Sequence, residues 1–255
     1  MQSRYTIQLG LTLTEHQDGF SFGTDALLLS AFVRPKRGGT AVDLGCGSGV
    51  ISLLLQKRES FARVYAVDIL PAYTEKEGIV AQNVAQNGLE GRIVPLCADA
   101  KDLRAQTLCG EVDCVFTNPP YFTVTQGRLP DSDARRLARH QGQGSVYDFC
   151  AAAGRLLKYG GACYAVYTPE YLPDLFFAMR GAGIEPKHCV LVCDDAQHPP
   201  FAVLVEGKKG GKARLRTQVL CLYDEAGEPT PIYAQIQQQG VWNRCQRRTP
   251  KKTPS

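Results

Sequence analysis

The segment Asp43-Leu44-Gly45-Cys46-Gly47-Ser48-Gly49 decides the fold of this chain. An apolar, β-branched run (residues 40–44) precedes its glycines, and a stretch with helical spacing (residues 50–57) follows them. Glycines at alternate positions let the backbone turn tightly and let a ligand approach without a Cβ in the way. The segment therefore predicts a strand, a ligand-binding turn and a helix in succession.

Strands and helices alternate along the rest of the chain. Further strands are predicted at residues 63–67, 93–97, 112–117, 162–167, 185–193 and 201–206, and a short strand or hairpin at residues 6–14. Helices are predicted at residues 25–32 (capped by Thr24), from a capping box at Thr74–Glu77 to about residue 87, and at residues 145–157 and 172–182. This alternation predicts an α/β fold whose mostly parallel sheet has helices on both faces and a possible antiparallel edge.

Acidic residues at three predicted strand ends indicate which cofactor binds. Asp43 precedes the glycines, Asp68 ends the next strand and Asp99 ends the third. Ligands bind at the carboxyl ends of parallel strands, where Asp68 can accept hydrogen bonds from both ribose hydroxyls and Asp99 can meet an adenine edge. The glycine spacing is G-x-G-x-G rather than the dinucleotide pattern G-x-G-x-x-G, and Asp43 would repel a pyrophosphate. The positively charged, phosphate-free S-adenosylmethionine fits better. The turn residues predicted to bind it are Asp43, Gly45, Cys46, Gly47 and Gly49.

The tetrapeptide Asn118-Pro119-Pro120-Tyr121 follows the predicted strand 112–117 and is the candidate catalytic motif. The prolines lack N–H donors and have nearly fixed φ, so the neighbouring carbonyls are held in place. The Asn118 side-chain oxygen and the Pro119 carbonyl can both accept hydrogen bonds from one –NH₂ group and aim its lone pair at the cofactor methyl group. Tyr121 offers a ring face to a flat substrate. The motif therefore indicates methylation of a planar amino group.

Composition and charge narrow the class of protein. The chain has 255 residues, 44% hydrophobic and 21% charged, with a net charge of +4. It has no apolar run of the roughly 20 residues that span a bilayer, and its N-terminus does not resemble a signal peptide, so we expect a cytoplasmic protein without membrane contact. The ten cysteines include no CxxC pair, which predicts reduced thiols and no metal site. A monomer is favoured, although the sequence leaves the oligomeric state open.

Basic residues cluster in three places, and such clusters suit a polyanion. One group follows the tetrapeptide in the long segment 122–140, a second surrounds residues 208–216, and a third lies in the C-terminal tail, which is predicted to be disordered over residues 240–255. The predicted substrate-binding residues are Tyr121, Arg136, Arg139, His140, Lys208, Lys209 and Lys212.

With these motifs in place, the chain resembles the bacterial tRNA adenine-amino methyltransferases of the valine tRNA adenosine-37 group. The resemblance covers about residues 10–235 and includes the block Gly19–Leu29, the glycine turn, Asp68, Asp99, the tetrapeptide, Arg139-His140 and the segments 156–161 and 205–211. It implies a Rossmann-like methyltransferase fold of seven strands, the last antiparallel, in one domain spanning residues 1–239. It also implies that Phe22, Thr24 and Asp25 lie near the methionine part of the cofactor, so that residues 1–38 pack over the cofactor site, and that Asn118 contributes to the same site.

Other activities remain open at this stage. Methylation of a glutamine side-chain amide in a protein uses the same tetrapeptide, although that family carries a helical N-terminal domain and only about 40 residues precede Asp43 here. Methylation of DNA adenine would call for a target-recognition domain. A non-catalytic RNA-binding module that keeps the fold would be favoured by a broken tetrapeptide, and this one is intact.

Overall fold

A computed structural model describes residues 2–16, 22–119 and 145–243 of the chain. These residues form ten strands and seven α-helices. In chain order they are β1 (Gln2–Thr6), β2 (Thr12–His16), α1 (Thr24–Phe32), β3 (Thr40–Leu44), α2 (Val50–Lys57), β4 (Arg63–Asp68), α3 (Pro71–Thr74), α4 (Ile79–Gln86), β5 (Ile93–Cys97), β6 (Val112–Thr117), α5 (Val146–Leu156), β7 (Leu157–Tyr167), α6 (Leu172–Gly181), β8 (Ile184–Cys193), β9 (Ala202–Lys209), β10 (Arg216–Cys221) and α7 (Pro231–Gln239).

The central sheet has the strand order β10-β8-β9-β7-β6-β3-β4-β5. Only β9 of these eight described strands runs antiparallel, pairing with β7 on one side and β8 on the other. The predicted fold class is confirmed, but the expected seven strands with the last one antiparallel are wrong in detail. An eighth strand, β10, follows the antiparallel strand in the sequence and pairs parallel to β8 as the outermost strand of the sheet. Its first three residues are polar, and Arg216 and Thr217 are exposed whereas Gln218 is half-buried, so the strand lacks the apolar pattern that marks the inner strands.

Side chains that alternate along each strand build two cores, one on each face of the sheet. Ala41 of β3 packs in one core with α1, α2 and α4, and its neighbour Val42 packs in the other with α5 and α6. Both residues are fully buried. The helices therefore cover both faces of the sheet. The carboxyl ends of the parallel strands lie together along one side of the sheet, which we call the carboxyl edge, and the turn after β3 lies there.

The helix that follows β4 begins later than the sequence predicts. The chain first forms the short helix α3, and α4 then begins at Ile79 with Gly78 as its N-cap. A Cβ at Gly78 would lie 2.5 Å from the carbonyl oxygen of Tyr73, so this close return of the chain requires glycine. The predicted capping box from Thr74 to Glu77 is therefore wrong. For α1, Gly23 is the N-cap and Thr24 is already the first helical residue.

The C-terminal part of the described chain packs against the core. Helix α7 ends at Gln239 with Gly240, whose φ is 66°, as its C-cap. Trp242 is buried with its ring centroid 5.7 Å from that of Phe32. The described chain thus packs against the core as far as Trp242, and residues 244–255, which hold most of the predicted tail, lie outside the described part. In the described ranges, the helices are all too short or too polar to cross a membrane.

Candidate functional site

The turn between β3 and α2 is held open toward the edge of the sheet. Gly45, Gly47 and Gly49 have φ values of 71°, 51° and 78°, which residues with a Cβ adopt at a cost. A Cβ at Gly45 would lie 3.0 Å from the Phe149 ring, whereas one at Gly47 would meet no atom within 4 Å. Gly47 therefore borders open space, as a surface that receives a ligand must.

Asp43 lies beneath this turn rather than in it. Its side chain is fully buried, and Oδ2 accepts a 2.7 Å hydrogen bond from the Ser52 hydroxyl. Its Oδ1 has no hydrogen-bond partner among the described residues. Burial, with a smaller contribution from the charge of Asp68, raises the pKa of Asp43 to about 7. A nearby cation would stabilise the ionised form of this carboxyl group.

Asp68 and Asp99 lie at the ends of neighbouring strands. The two Asp68 oxygens accept hydrogen bonds from the backbone N–H groups of Gly47 and Leu70, both at 3.0 Å, so this half-buried carboxylate fixes the glycine turn to the end of β4. Each oxygen keeps a lone pair for a further donor. The Asp68 carbonyl accepts from the N–H of Ala98, the residue before Asp99. Asp99 itself accepts a 2.8 Å hydrogen bond from the Lys101 N–H.

Asn118 and Pro119 follow β6 at the same edge of the sheet. Thr117, the last residue of β6, pairs with Leu44 of β3, and its hydroxyl donates a 2.8 Å hydrogen bond to the Leu44 carbonyl. Neighbouring strands lie about 4.8 Å apart. The half-buried Asn118 and the buried Pro119, which follow β6, therefore start about that far from the residues after β3 that open the glycine turn. Pro120 and Tyr121 lie outside the described residues, as do Arg136, Arg139 and His140.

Strands β1 and β2 pair antiparallel and form an N-terminal hairpin. A buried glutamate that no sequence motif marks joins this hairpin to the turn. Glu15 of β2 is 5% exposed. Its Oε1 accepts a 3.3 Å hydrogen bond from the Ser48 hydroxyl, and its Oε2 accepts from the Phe22 N–H at 3.2 Å and from the Tyr5 hydroxyl. Burial, followed by the hydrogen bond and charge of Glu15, raises the pKa of Tyr5.

Asn83 of α4 makes a second connection between the same elements. This fully buried side chain accepts from the Thr14 N–H at 2.7 Å and donates to the carbonyls of Thr14 and Ser48 at 3.0 and 2.9 Å. Its amide thus pairs with the edge of β2 as a neighbouring strand would. No local signal identifies Glu15 or Asn83 as site residues, because their partners are distant in the sequence.

The residues after the hairpin lie at the start of α1. Phe22 is half-buried against the core beside α1 and α2. The Thr24 side chain hydrogen-bonds Tyr233 of α7, and Asp25 lies in the first turn of α1, where a carboxylate interacts favourably with the helix dipole. Of these three residues, Phe22 joins the network at the glycine turn through the hydrogen bond from its N–H to Glu15.

Three of the predicted substrate-binding residues lie on the opposite side of the sheet, where its parallel strands begin, which we call the amino edge. They are Lys208, Lys209 and Lys212. Lys208 pairs with Ala162 near the start of the parallel part of β7, because β9 runs antiparallel and ends where its neighbours begin. The length of a strand, about 20 Å, therefore separates these lysines from the glycine turn. The structure does not bring them together with Asp43, Asp68 and Asn118, and their contact with a substrate stays a prediction.

The turn has the chemistry that a positively charged ligand requires. Asp43, Asp68 and Glu15 surround it with carboxyl groups, and the unpartnered Oδ1 of Asp43 can be stabilised by a cation. Cys46 is buried, and burial followed by the charges of Asp43 and Asp68 raises the pKa of its thiol, so it stays neutral. A phosphate-bearing dinucleotide would be repelled here, whereas the sulfonium ion of S-adenosylmethionine fits.

Comparison with known proteins agrees with this geometry. Residues 16–171 match the family model described as Methyltransferase small domain. A Porphyromonas gingivalis protein named tRNA1(Val) (adenine(37)-N6)-methyltransferase is 30% identical over 223 residues, which are 84% of this chain and 86% of that protein. These matches confirm the resemblance inferred from the motifs.

Solved structures show the same fold. A predicted O-methyltransferase from Agrobacterium tumefaciens is similar with a TM-score of 0.65 and 21% identity, covering 84% of this chain and 95% of that chain. TYW2 from M. jannaschii in complex with AdoMet has a TM-score of 0.53 and 15% identity, covering 81% and 85%. The chain therefore belongs to the methyltransferase small domain family and is an S-adenosylmethionine-dependent methyltransferase.

Proposed function

We propose that this protein methylates the exocyclic amino group of an adenine in the anticodon-loop region of a tRNA. The observation that carries the proposal is the position of Asn118, directly after the Thr117–Leu44 pair that adjoins the glycine turn. A side chain at that position can present an acceptor to an amine held beside the cofactor. The name of the Porphyromonas gingivalis relative supports adenine in a tRNA as the acceptor.

Each residue of the site has a separate role in the proposed reaction. Asp68 would accept hydrogen bonds from the ribose hydroxyls, and Glu15 and Asn83 would hold the N-terminal hairpin over the turn. Bound S-adenosylmethionine supplies an electrophilic methyl group on a positively charged sulfur. The Asn118 side-chain oxygen and the Pro119 carbonyl would accept hydrogen bonds from both N–H groups of the adenine amine and orient its lone pair toward the methyl group. Such a reaction fits the cytoplasm, as do the nine free cysteines of the described residues.

Transfer of a labelled methyl group tests the proposal. The protein is incubated with labelled S-adenosylmethionine and total tRNA, total protein or DNA from cells that lack it. We expect label in tRNA, recovered as N6-methyladenosine after nuclease digestion. Label that enters protein alone would assign the enzyme to glutamine amides, and label in DNA alone would assign it to DNA adenine.

Removing the Asp68 carboxylate is expected to weaken cofactor binding about 100-fold. Asp68→Ala deletes an acceptor that holds the Gly47 N–H and, in the proposal, the acceptor for the ribose hydroxyls; each charge-assisted hydrogen bond contributes about 1.5–3 kcal/mol. Calorimetric titration with S-adenosylmethionine measures the change. Asp102→Ala, at an exposed residue in the turn after β5, is the matched control and should bind normally. An Asp68→Ala affinity within about threefold of wild type would refute the assigned role.

Glu15→Gln tests whether the hairpin is coupled to the turn. The substitution keeps an oxygen for Ser48 but sets an NH₂ group against the Phe22 N–H, so we expect about tenfold weaker cofactor binding and a loss of about 1–3 kcal/mol in the free energy of unfolding. The pKa of Tyr5 should fall, because the hydrogen bond and charge of Glu15 help to raise it; titration by ultraviolet absorbance measures this. If only the stability changes and the cofactor affinity does not, Glu15 is structural and does not position the turn.

A further inference from the structure

An exposed aromatic ring is held in place at the amino edge of the sheet. Tyr159 of β7 is 83% exposed, yet its hydroxyl donates a 3.2 Å hydrogen bond to the carbonyl of Gly210, in the turn after β9. A Cβ at Gly210 would lie 2.1 Å from the ring, so the ring lies directly on the glycine backbone. Tyrosine, which combines a large apolar ring with a polar hydroxyl, is enriched at interfaces, and this ring is both exposed and fixed in position.

Basic residues surround this ring. A cavity of about 370 Å³ beside it is lined by Tyr159 together with the basic residues Arg34, Lys36, Lys158 and Lys208 and the acidic residues Asp113 and Glu206. The acidic residues are already engaged. Both Lys36 and Lys158 contact Asp113, at 2.7 and 3.3 Å, and Arg34 lies 3.7 Å from Glu206.

The charges of the cavity do not balance. Its four basic side chains outnumber its two carboxylates, and the exposed Lys208 forms no ion pair with any residue of the described ranges. Lys212, also exposed, adds a further positive charge two residues after Gly210. An aromatic face inside a basic surface is the combination that binds unpaired nucleotides, with the ring stacking on a base and the cations contacting phosphates.

We propose that the amino edge around Tyr159 is a second RNA-binding surface, on which an unpaired base of the same tRNA stacks while Lys208 and Lys212 contact its phosphates. This surface lies about 20 Å along the strands from the glycine turn, so the nucleotide bound there is not the one that is methylated. The inference rests on the proposed function for its partner, a tRNA. The role of this second surface is to hold the tRNA body while the anticodon loop occupies the carboxyl edge.

Binding and methylation of two RNAs test this surface. The probes are a full-length valine tRNA transcript and the isolated anticodon stem-loop of the same tRNA. We expect Tyr159→Ala to weaken binding of the full-length tRNA about tenfold, since stacking of one base contributes about 1–3 kcal/mol, and to leave methylation of the stem-loop unchanged. Tyr159→Phe, which keeps the ring, should bind nearly as wild type. Phe177→Ala, at an aromatic residue that is 72% exposed on α6, is the matched control.

A salt titration separates the charge from the ring. Lys208→Gln should lower the slope of log affinity against log salt by about 0.7–0.9, the value for one lost phosphate contact. Equal binding of full-length tRNA by wild type, Tyr159→Ala and Lys208→Gln would overturn the proposal, as would equal losses by Tyr159→Ala on both RNAs. If wild type methylates neither RNA, the proposed function fails, and the binding measurements still decide whether the surface exists.

Discussion

Asn118→Ala is expected to lower the rate constant for methyl transfer about 10²- to 10³-fold. That range is typical when a pre-positioned hydrogen-bonding group is removed from a reaction centre. The adenine amine would lose the acceptor that orients its lone pair, whereas Asp68 and the glycine turn, which the substitution does not touch, would still bind the cofactor. The affinity for S-adenosylmethionine should therefore change by less than about tenfold. Single-turnover kinetics with saturating cofactor measure the rate constant.

Two variants make this result specific. Asn118→Asp retains an oxygen acceptor at the same position and should keep more activity than Asn118→Ala. Asn243→Ala, at an exposed asparagine near the end of the described chain, should transfer methyl groups at the wild-type rate. If Asn118→Ala transferred methyl groups at the wild-type rate, Asn118 would have no role in the chemistry, and its role after β6 would be structural only.

The sequence predicted those parts of the site that depend on local pattern. Asp43 and Asp68 could be placed at strand ends because apolar runs and glycines mark where each strand stops, and parallel strands end at a common edge. Gly78 could not be placed in the same way. Thr74 and Glu77 imitate a capping box, and the clash that a Cβ at residue 78 would make with Tyr73 depends on the folded path of the chain.

Local sequence patterns do not identify residues whose positions depend on long-range contacts. Glu15 and Ser48 meet across 33 residues, and no pattern within β2 distinguishes a buried glutamate from an exposed one. Lys208 illustrates a different difficulty, because its position depends on the direction of β9. An antiparallel strand carries its final residues to the edge where its parallel neighbours begin, so the basic residues that follow Lys208 lie a strand length away from the glycine turn.

Asp43→Asn is expected to stabilise the cofactor-free protein at pH 8. In the folded chain burial raises the pKa of Asp43 to about 7, whereas an unfolded aspartate titrates near about 3.9. Between these values the folded state keeps a proton that the unfolded state has lost, so the free energy of unfolding falls as pH rises from about 4 to about 7. Three pKa units correspond to about 4 kcal/mol, fully lost by pH 8.

The variant removes this loss but leaves one polar group without a partner. Its amide oxygen can accept from Ser52, while its NH₂ group would occupy the position of the unpartnered Oδ1 at a cost of about 1–3 kcal/mol. We therefore expect Asp43→Asn to be about 1–3 kcal/mol more stable than wild type at pH 8 and less stable at pH 4. Urea unfolding at both pH values measures the difference. An unchanged pH dependence in the variant would show that Asp43 is not the titrating group.

Cofactor binding should respond to pH through the same carboxyl group. A sulfonium ion near Asp43 favours its ionised form, so the affinity of the wild type for S-adenosylmethionine should rise about tenfold from pH 6 to pH 8, because a coupling of about 1.4 kcal/mol corresponds to a factor of ten. Asp43→Asn should bind more weakly and without this rise. S-adenosylhomocysteine carries no sulfonium charge and is the control, with a smaller rise in the wild type. A wild-type affinity that stays constant across this range would mean that Asp43 supports the backbone of the turn without acting on the charge of the cofactor.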